Sequence, residues 1–497
     1  MRRTFWLALT LLALWVAVAG FAASRHEMWR DEVRPLTLAR EASSPLDLYR
    51  RAEYDGHPML WFLLLYAAYG ALGTKLVLPG LALLLAAAAV ALFLFAAPFP
   101  LPVRALFAFG ALPLYEYAVM ARNYGITMLL LFLAALFYRE RAAHPWRLAL
   151  VLALLANTNL HAAILACLLA GLWLWDAWRA GERRWPILPL LLVALGVAFS
   201  LLCALPRPSS NLTTIYSTSP GRVVRALVAS AKLPDWTFFM LLPPSFPEVV
   251  NRTILWLAVA GLAVRPALAL AAGGSALALG VLFRVGYFGS YRHQGLFLLF
   301  LVTLYWIASV PPPEGWRRHL QRAGLYLGVL PLLLAQLVRS PQMIGQDLAK
   351  PCSSSPALAS FLHASPRYRD AVLLPEPAWF LESLPYYAGN ALYYPRERRF
   401  GTTVSWTHAQ AEHLTLGDLL ASARELERRT GKPALLALGW DLTAHAGDKK
   451  GDYGQTFTWT DPEWEAFARE TTPVATFDRA TTDENYRVYA LREAPSD

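Results

Sequence analysis

Two adjacent carboxylates between arginines, Trp29-Arg30-Asp31-Glu32-Val33-Arg34-Pro35, follow directly on the first apolar run of this sequence. These are residue types that exchange a proton and bind an anion, and equally the types that form a solvated salt-bridge knot at a membrane surface. Neighbours on a helix point about 100° apart, so Asp31 and Glu32 cannot both face one substrate atom. One is expected to act and the other to support it. Asp31 and Arg34, three apart, would share a helical face.

A second cluster, Glu53-Tyr54-Asp55-Gly56-His57-Pro58, stands at the mouth of the second apolar run. It reads as a turn starting a helix, with Pro58 at the first helical position, or as the far side of a site that the first cluster opens. Two more constellations lie in or beside apolar runs, where charge is costly and hints at function. One is Ala121-Arg122-Asn123-Tyr124, preceded by Tyr115, Glu116 and Tyr117. The other is Tyr287–Gln294, which contains Tyr291, Arg292 and His293. For both, an arginine snorkelling to the interface is the competing reading. His161, one turn beyond Asn157, reads as a satisfied polar core residue.

Positioning these groups falls to a mostly apolar chain. Hydrophobic residues are 56% of the 497 and charged ones 16%, more apolar surface than a soluble protein of this size can hide. Three cysteines imply no disulfide framework. The net charge of +10 splits by position. Residues 1–340 carry 29 Lys and Arg against 14 Asp and Glu, and residues 341–497 carry 16 against 21. The positive excess therefore belongs to the apolar part, where short basic loops serve topology and anionic lipid, and nucleic acid is not a supported partner. The chain reads as a polytopic all-α membrane bundle (1–340) followed by a soluble α/β domain (341–497).

Apolar runs of spanning length suggest ten to twelve transmembrane helices at roughly 20 residues each. The first, Phe5–Ala23, is taken as uncleaved with its N-terminus in the cytoplasm, which places the polar loop 24–56 outside. Leu148–Trp175 is too long for one span, and Asn157-Thr158-Asn159 would split it into two short helices at a polar cavity. The basic loops Arg139–Arg147 and Arg179–Arg184 should be cytoplasmic, so one run between His57 and Arg122 must be re-entrant or broken. In the C-terminal part, strands are expected at Ala371–Leu374, Ala391–Tyr394, Ala434–Leu438 and Tyr486–Leu491, with helices at Ala378–Tyr386 and Leu416–Arg429. The aromatic residues Trp379, Tyr386, Tyr387, Tyr393 and Tyr394 either stack on ligands or form that domain's core and its docking surface. The domain itself is expected to cap the external face of the bundle.

The first helix, the external loop opening on Asp31-Glu32, the arginine three residues after the aspartate, and a basic residue and proline (His57-Pro58) leading into the second helix resemble GT-C glycosyltransferases. Members with this layout include the bacterial aminoarabinose transferases that modify lipid A and the protein O-mannosyltransferases. The layout covers most of the chain and the specific motifs about thirty residues. Pro35 and the single proline after His57 depart from the common pattern, so the acceptor does not carry over. The resemblance implies a sugar moved from a polyprenyl-phosphate donor, such as an undecaprenyl-phosphate sugar, to an acceptor hydroxyl on a lipid, glycan or protein. It implies inversion at the sugar carbon, on the periplasmic face of a bacterial inner membrane. Asp31 takes the place of the catalytic carboxylate, with Glu32 beside it. Arg34 and His57 would neutralise the departing phosphate, helped by Arg122 and Arg292. Asp55, Tyr124, Tyr291 and His293 would line the pocket.

Some relatives bind a divalent metal beside the carboxylates. Asp31, Glu32, Asp55 and His57 have no diagnostic ligand spacing, so no metal is assigned. The sequons Asn211-Leu212-Thr213 and Asn251-Arg252-Thr253 would be idle in a bacterium. Two competing classes are a polytopic lipid or sugar transporter and a non-catalytic membrane scaffold. The first would want broken helices in matching halves, and the polar loop 24–56 has no counterpart in the second half.

Overall fold

The computed structural model describes residues 2–181, 185–205, 207–211, 219–231, 236–286, 288–443, 445–451 and 454–492. Tyr287, Leu212-Thr213 and the end of the Arg179–Arg184 loop lie outside the described residues.

Helix α1 (Arg2–Arg25) leads into a short polar helical pair, α2 (Arg30–Glu41) and α3 (Pro45–Ala52). The bundle continues with α4 (Leu60–Leu72), α5 (Val77–Ala96), α6 (Leu101–Ala108), α7 (Tyr124–Tyr138), α8 (Pro145–Ala156), α9 (Leu160–Arg179) and α10 (Ile187–Ala204). After α11 (Pro220–Ser230) come α12 (Glu248–Ala260), α13 (Pro266–Val285), α14 (Tyr291–Ala308), α15 (Gly315–Ala323) and α16 (Leu330–Ala349). Helix α14 is buried almost throughout and forms the centre of the bundle. Among the described residues, six helical runs are long and apolar enough to cross a membrane: α1, α5, α9, α10, α13 and the continuous stretch Gly315–Ala349. Three shorter apolar helices, α4, α7 and α8, account for part of the difference from the ten to twelve spans read from apolar runs.

The polar interruptions act as the sequence suggests. Helix α8 stops at Ala156, and α9 restarts at Leu160 with the Asn159 side chain accepting the Ala162 N–H at 2.9 Å. Asn157 donates to the carbonyls of Ala153 and Gly196, which satisfies the backbone at the break. The run Val103–Val119 is not one helix. It ends as α6 at Ala108, passes through a wide turn at Leu112–Glu116 containing Pro113, and reaches Asn123 without regular structure. This broken run is the irregular element expected between His57 and Arg122.

The C-terminal chain leaves α16 at Lys350, so Pro341, where the composition changes, sits inside a helix. Helix α17 (Ser355–Ala364) precedes β1 (Val372–Glu376), β2 (Tyr393–Tyr394), β3 (Arg399–Phe400) and β4 (His413–Thr415). Then follow α18 (Leu416–Thr430), β5 (Ala434–Leu438), β6 (Gly447–Lys450), β7 (Thr456–Trp459), α19 (Asp461–Glu470), β8 (Thr471–Phe477) and β9 (Tyr486–Leu491). The main sheet has the order β1-β5-β9-β8, with β1 and β5 parallel and the rest antiparallel. The two parallel strands, β1 and β5, are buried at every position, as their apolar sequences require. The expected helix at Ala378–Tyr386 is two short 3-10 turns instead, separated around Glu382-Ser383, with Pro385 in the second.

The aromatic residues divide between core and docking. Trp379 and Tyr394 pack inside the domain. Tyr386 bonds Thr37 of α2 at 2.8 Å, and the Tyr387 hydroxyl donates to the Met28 carbonyl at 3.0 Å. The domain is thereby seated on the 24–56 segment.

Candidate functional site

The two neighbouring carboxylates diverge. Glu32 is fully buried, and its Oε2 accepts the Trp29 N–H at the start of α2 and meets His26 Nε2 at 2.9 Å. Its Oε1 accepts the Ala121 N–H at 2.5 Å. Glu32 therefore pins the irregular segment before α7 to the first turn of α2. Asp31 is about one-third exposed and meets Arg122 Nη1 at 2.5 Å and Arg30 Nε at 3.3 Å. Burial by itself would raise the Asp31 carboxyl. Arg122, Arg30 and Arg292 together hold it well below the usual carboxylate range.

Arg292, in the first turn of α14, meets Glu116 at 3.4 Å and stands over the Trp29 ring. Its carbonyl accepts the Tyr117 hydroxyl at 2.7 Å, and Tyr117 stacks on Tyr124. Gly125 makes this possible, because a Cβ there would lie 2.7 Å from the Tyr117 carbonyl oxygen. Tyr124 meets His293 edge-on at 5.7 Å, and His293 stacks on His161 at 4.9 Å. Asp31, Arg122, Arg292, Tyr124 and His293 thus belong to one neighbourhood. His161, expected to be a plain core residue, is part of its wall.

Arg34 and Asp31 do not use the helical face they were expected to share. The Arg34 guanidinium meets Asp55 at 2.5 Å and Glu382 at 2.6 Å, donates to the Val404 carbonyl at 3.0 Å, and lies over the Trp406 ring. All three of its nitrogens are taken, and three of its four partners, Glu382, Val404 and Trp406, come from the C-terminal domain. Burial opposes ionisation of Asp55, but Arg34 and His57 carry its carboxyl well below the ordinary range. Gly56 turns the chain in the left-handed region (φ 68), which glycine adopts without strain. The turn places His57 Nδ1 2.7 Å from the Asp55 carbonyl, with the ring about two-fifths exposed. Helix α4 begins at Leu60, two residues after Pro58. Tyr291 turns away from the cluster to Gln336 and Arg339 of α16.

A cavity of about 470 Å³ opens beside Asp31's neighbours, lined among others by Arg30, Glu116, Arg292, Asp347, Cys352 and Asp483. Its walls come from the bundle and the C-terminal domain alike. Arg30 ties the two, through Asp483 at 3.0 Å and through its N–H to Glu484 at 2.7 Å. Among the described residues, one group of three metal-ligating side chains converges, His26, Asp347 and Cys352; Asp31, Glu32, Asp55 and His57 form no such group. His26, Asp347, Glu382 and Glu484 carry no signal in the sequence. Asp347, Glu382 and Glu484 each reach across more than 300 residues of chain to His26, Arg34 and Arg30 respectively, and no local spacing marks such pairs.

No protein-family model and no curated protein matches the chain. Two solved structures of ArnT from Cupriavidus metallidurans are similar to it along nearly the whole length. The one bound to undecaprenyl phosphate is 13% identical and covers 98% of this chain and 98% of its own, with a TM-score of 0.43. The one in the apo state is 14% identical and covers 99% of this chain and 98% of its own, with a TM-score of 0.42.

Proposed function

We propose that this chain is a membrane glycosyltransferase that moves a sugar from a polyprenyl-phosphate donor to an acceptor hydroxyl. The observation that carries the reading is the Asp31 carboxylate, ionised and partly exposed, held by Arg122 within the field of Arg30 and Arg292, two arginines that line a cavity. A single displacement needs a base for the acceptor proton and cations for the charge that grows on the leaving phosphate. Asp31 is the base, and Arg122 and Arg292 are the cations. The acceptor O–H proton passes to the Asp31 carboxylate as the acceptor oxygen bonds the anomeric carbon. The bond from that carbon to the phosphate oxygen breaks with its electron pair, the polyprenyl phosphate departs, and configuration inverts.

A carboxylate held this far down is a weak base while its arginines are free. A phosphate that takes Arg122 and Arg292 for itself relieves that hold, so the donor's arrival raises the basicity of Asp31. Glu32 positions rather than reacts, through its bonds to Trp29, Ala121 and His26. His57, exposed at the mouth of α4, is a further contact for the donor, whereas Arg34 acts from behind by fixing Asp55 and the C-terminal domain. Tyr124 and His293 line the sugar side, while Tyr291 acts through α16. The site is proposed to face the periplasm from a bacterial inner membrane.

The test uses undecaprenyl phosphate and purified full-length protein, with thermal stability as the readout. Saturable stabilisation is expected in the wild type and is expected to be lost in Arg122→Ala and Arg292→Ala. No stabilisation of the wild type would overturn the donor assignment and favour a scaffold or transporter.

A further inference from the structure

We propose that His26 Nδ1, an Asp347 carboxylate oxygen and Cys352 Sγ bind one zinc ion whose fourth position opens into the cavity. The three ligand atoms lie within 4.8 Å of one another. They come from three separate places: the exit of α1, the end of α16 and the connection into the C-terminal domain. A nitrogen, an oxygen and a sulfur donor together are a set that zinc accepts. Zinc bonds of roughly 2.0–2.3 Å put tetrahedral donors roughly 3–4 Å apart, and His26 Nδ1 already stands 3.0 Å from Asp347. Closing the set takes only small side-chain movements.

The surroundings are those of a ligating histidine. The far ring nitrogen of His26 meets Glu32 Oε2 at 2.9 Å, the carboxylate–histidine pairing that fixes ring orientation at metal sites. Glu32 is itself anchored by the Trp29 and Ala121 N–H groups. Two carboxylates, Glu32 at 2.9 Å and Asp347 at 3.0 Å, meet this one buried imidazole from opposite sides. A dication relieves that excess of negative charge. Asp347 and Cys352 both line the cavity that holds Arg30 and Arg292. Three protein ligands with one open position is the pattern of a zinc ion that meets water or substrate.

Zinc displaces the thiol proton of Cys352 and the Nδ1 proton of the His26 imidazolium, and both protons go to solvent. The Nε2 proton stays on its bond to Glu32. The loaded ion would tie the end of α1 to the end of α16 and to the C-terminal domain. The competing state is a metal-free His26 bridging Glu32 and Asp347.

The experiment strips the purified full chain with a chelator, reloads it with zinc or cobalt, dialyses it, and measures metal content and the cobalt spectrum. One equivalent of zinc per chain is expected. The thiolate-to-cobalt charge-transfer band should be lost in Cys352→Ser and kept in Cys167→Ser and Cys203→Ser. Asp347→Asn and His26→Gln should weaken binding by more than about tenfold. A wild type that retains no zinc overturns the proposal, and so does a charge-transfer band that survives Cys352→Ser. Should Cys352→Ser fold poorly, maleimide labelling of the wild type decides. Cys352 should be protected by zinc and labelled after chelation, and equal labelling in both states overturns the site. Neither readout depends on transferase activity.

Discussion

The Asp31 carboxylate and the Arg122 guanidinium, 91 residues apart in the chain, meet at 2.5 Å, and no other carboxylate meets Arg122 within ion-pair distance among the described residues. Asp31→Asn keeps the shape and removes the charge. Transfer from an undecaprenyl-phosphate sugar should fall by about 10²–10⁴-fold. Affinity for undecaprenyl phosphate should stay level or tighten, because Arg122 is released to the ligand. Turnover measured beside lipid binding checks both halves, and retained turnover removes Asp31 as the base.

The same pair gives Asp31 a signature in acid. Its carboxyl is lower in the folded protein than in the unfolded chain, where it lies near 3.9. The stability it contributes is therefore complete above about pH 4 and fades as pH falls through the folded value. Thermal midpoints of wild type and Asp31→Asn should differ by a constant amount from neutrality down to about pH 5 and converge in stronger acid. A gap that widens on acidification contradicts the arginine clamp.

Much of this arrangement was legible in the sequence, and for identifiable reasons. Asn157-Thr158-Asn159 inside an apolar run announced the α8–α9 break, because buried amides must find partners. The strands Ala434–Leu438 and Tyr486–Leu491 fall where their apolar patterns put them. Local spacing also marked Arg122 and Arg292 as charges in costly surroundings, and Asp31 as one of two adjacent carboxylates between arginines. It misled at Arg34, because helical periodicity says which face a side chain leaves from and nothing of what lies across from it. Glu382, 348 residues away, decides the direction of Arg34. The helix expected at Ala378–Tyr386 failed for a related reason: Pro385 lies inside the segment, and Trp379 is drawn into the domain core while Tyr386 is drawn out to Thr37 of α2.

Arg34 is accordingly the residue whose loss should loosen the two parts of the molecule. Arg34→Ala leaves Glu382 and Asp55 buried without their cation, which typically costs about 3–5 kcal/mol. The thermal midpoint should drop, and limited proteolysis should open the 350–354 connection. Adding Glu382→Gln to Arg34→Ala should recover part of the loss, because it removes one stranded charge. Wild-type stability in Arg34→Ala would show that the contact does not hold the domain down.

Glu484 offers the converse case. Burial pushes its carboxyl up to about 7, against the Ser353 hydroxyl, the Arg30 N–H and the Arg30 charge. Its folded value lies above the unfolded value near 4.3, so the folded state favours the protonated form. The stabilisation is full below about pH 4 and is lost as pH rises toward 7. Glu484→Gln keeps an acceptor for Arg30 N–H and removes the charge. The variant should therefore gain on the order of 1–3 kcal/mol over wild type at pH 8 and lose that advantage near pH 5. Unfolding midpoints at the two pH values check the sign. A variant less stable at pH 8 than at pH 5, relative to wild type, would mean that the ionised Glu484 is held by Arg30 more strongly than burial opposes it.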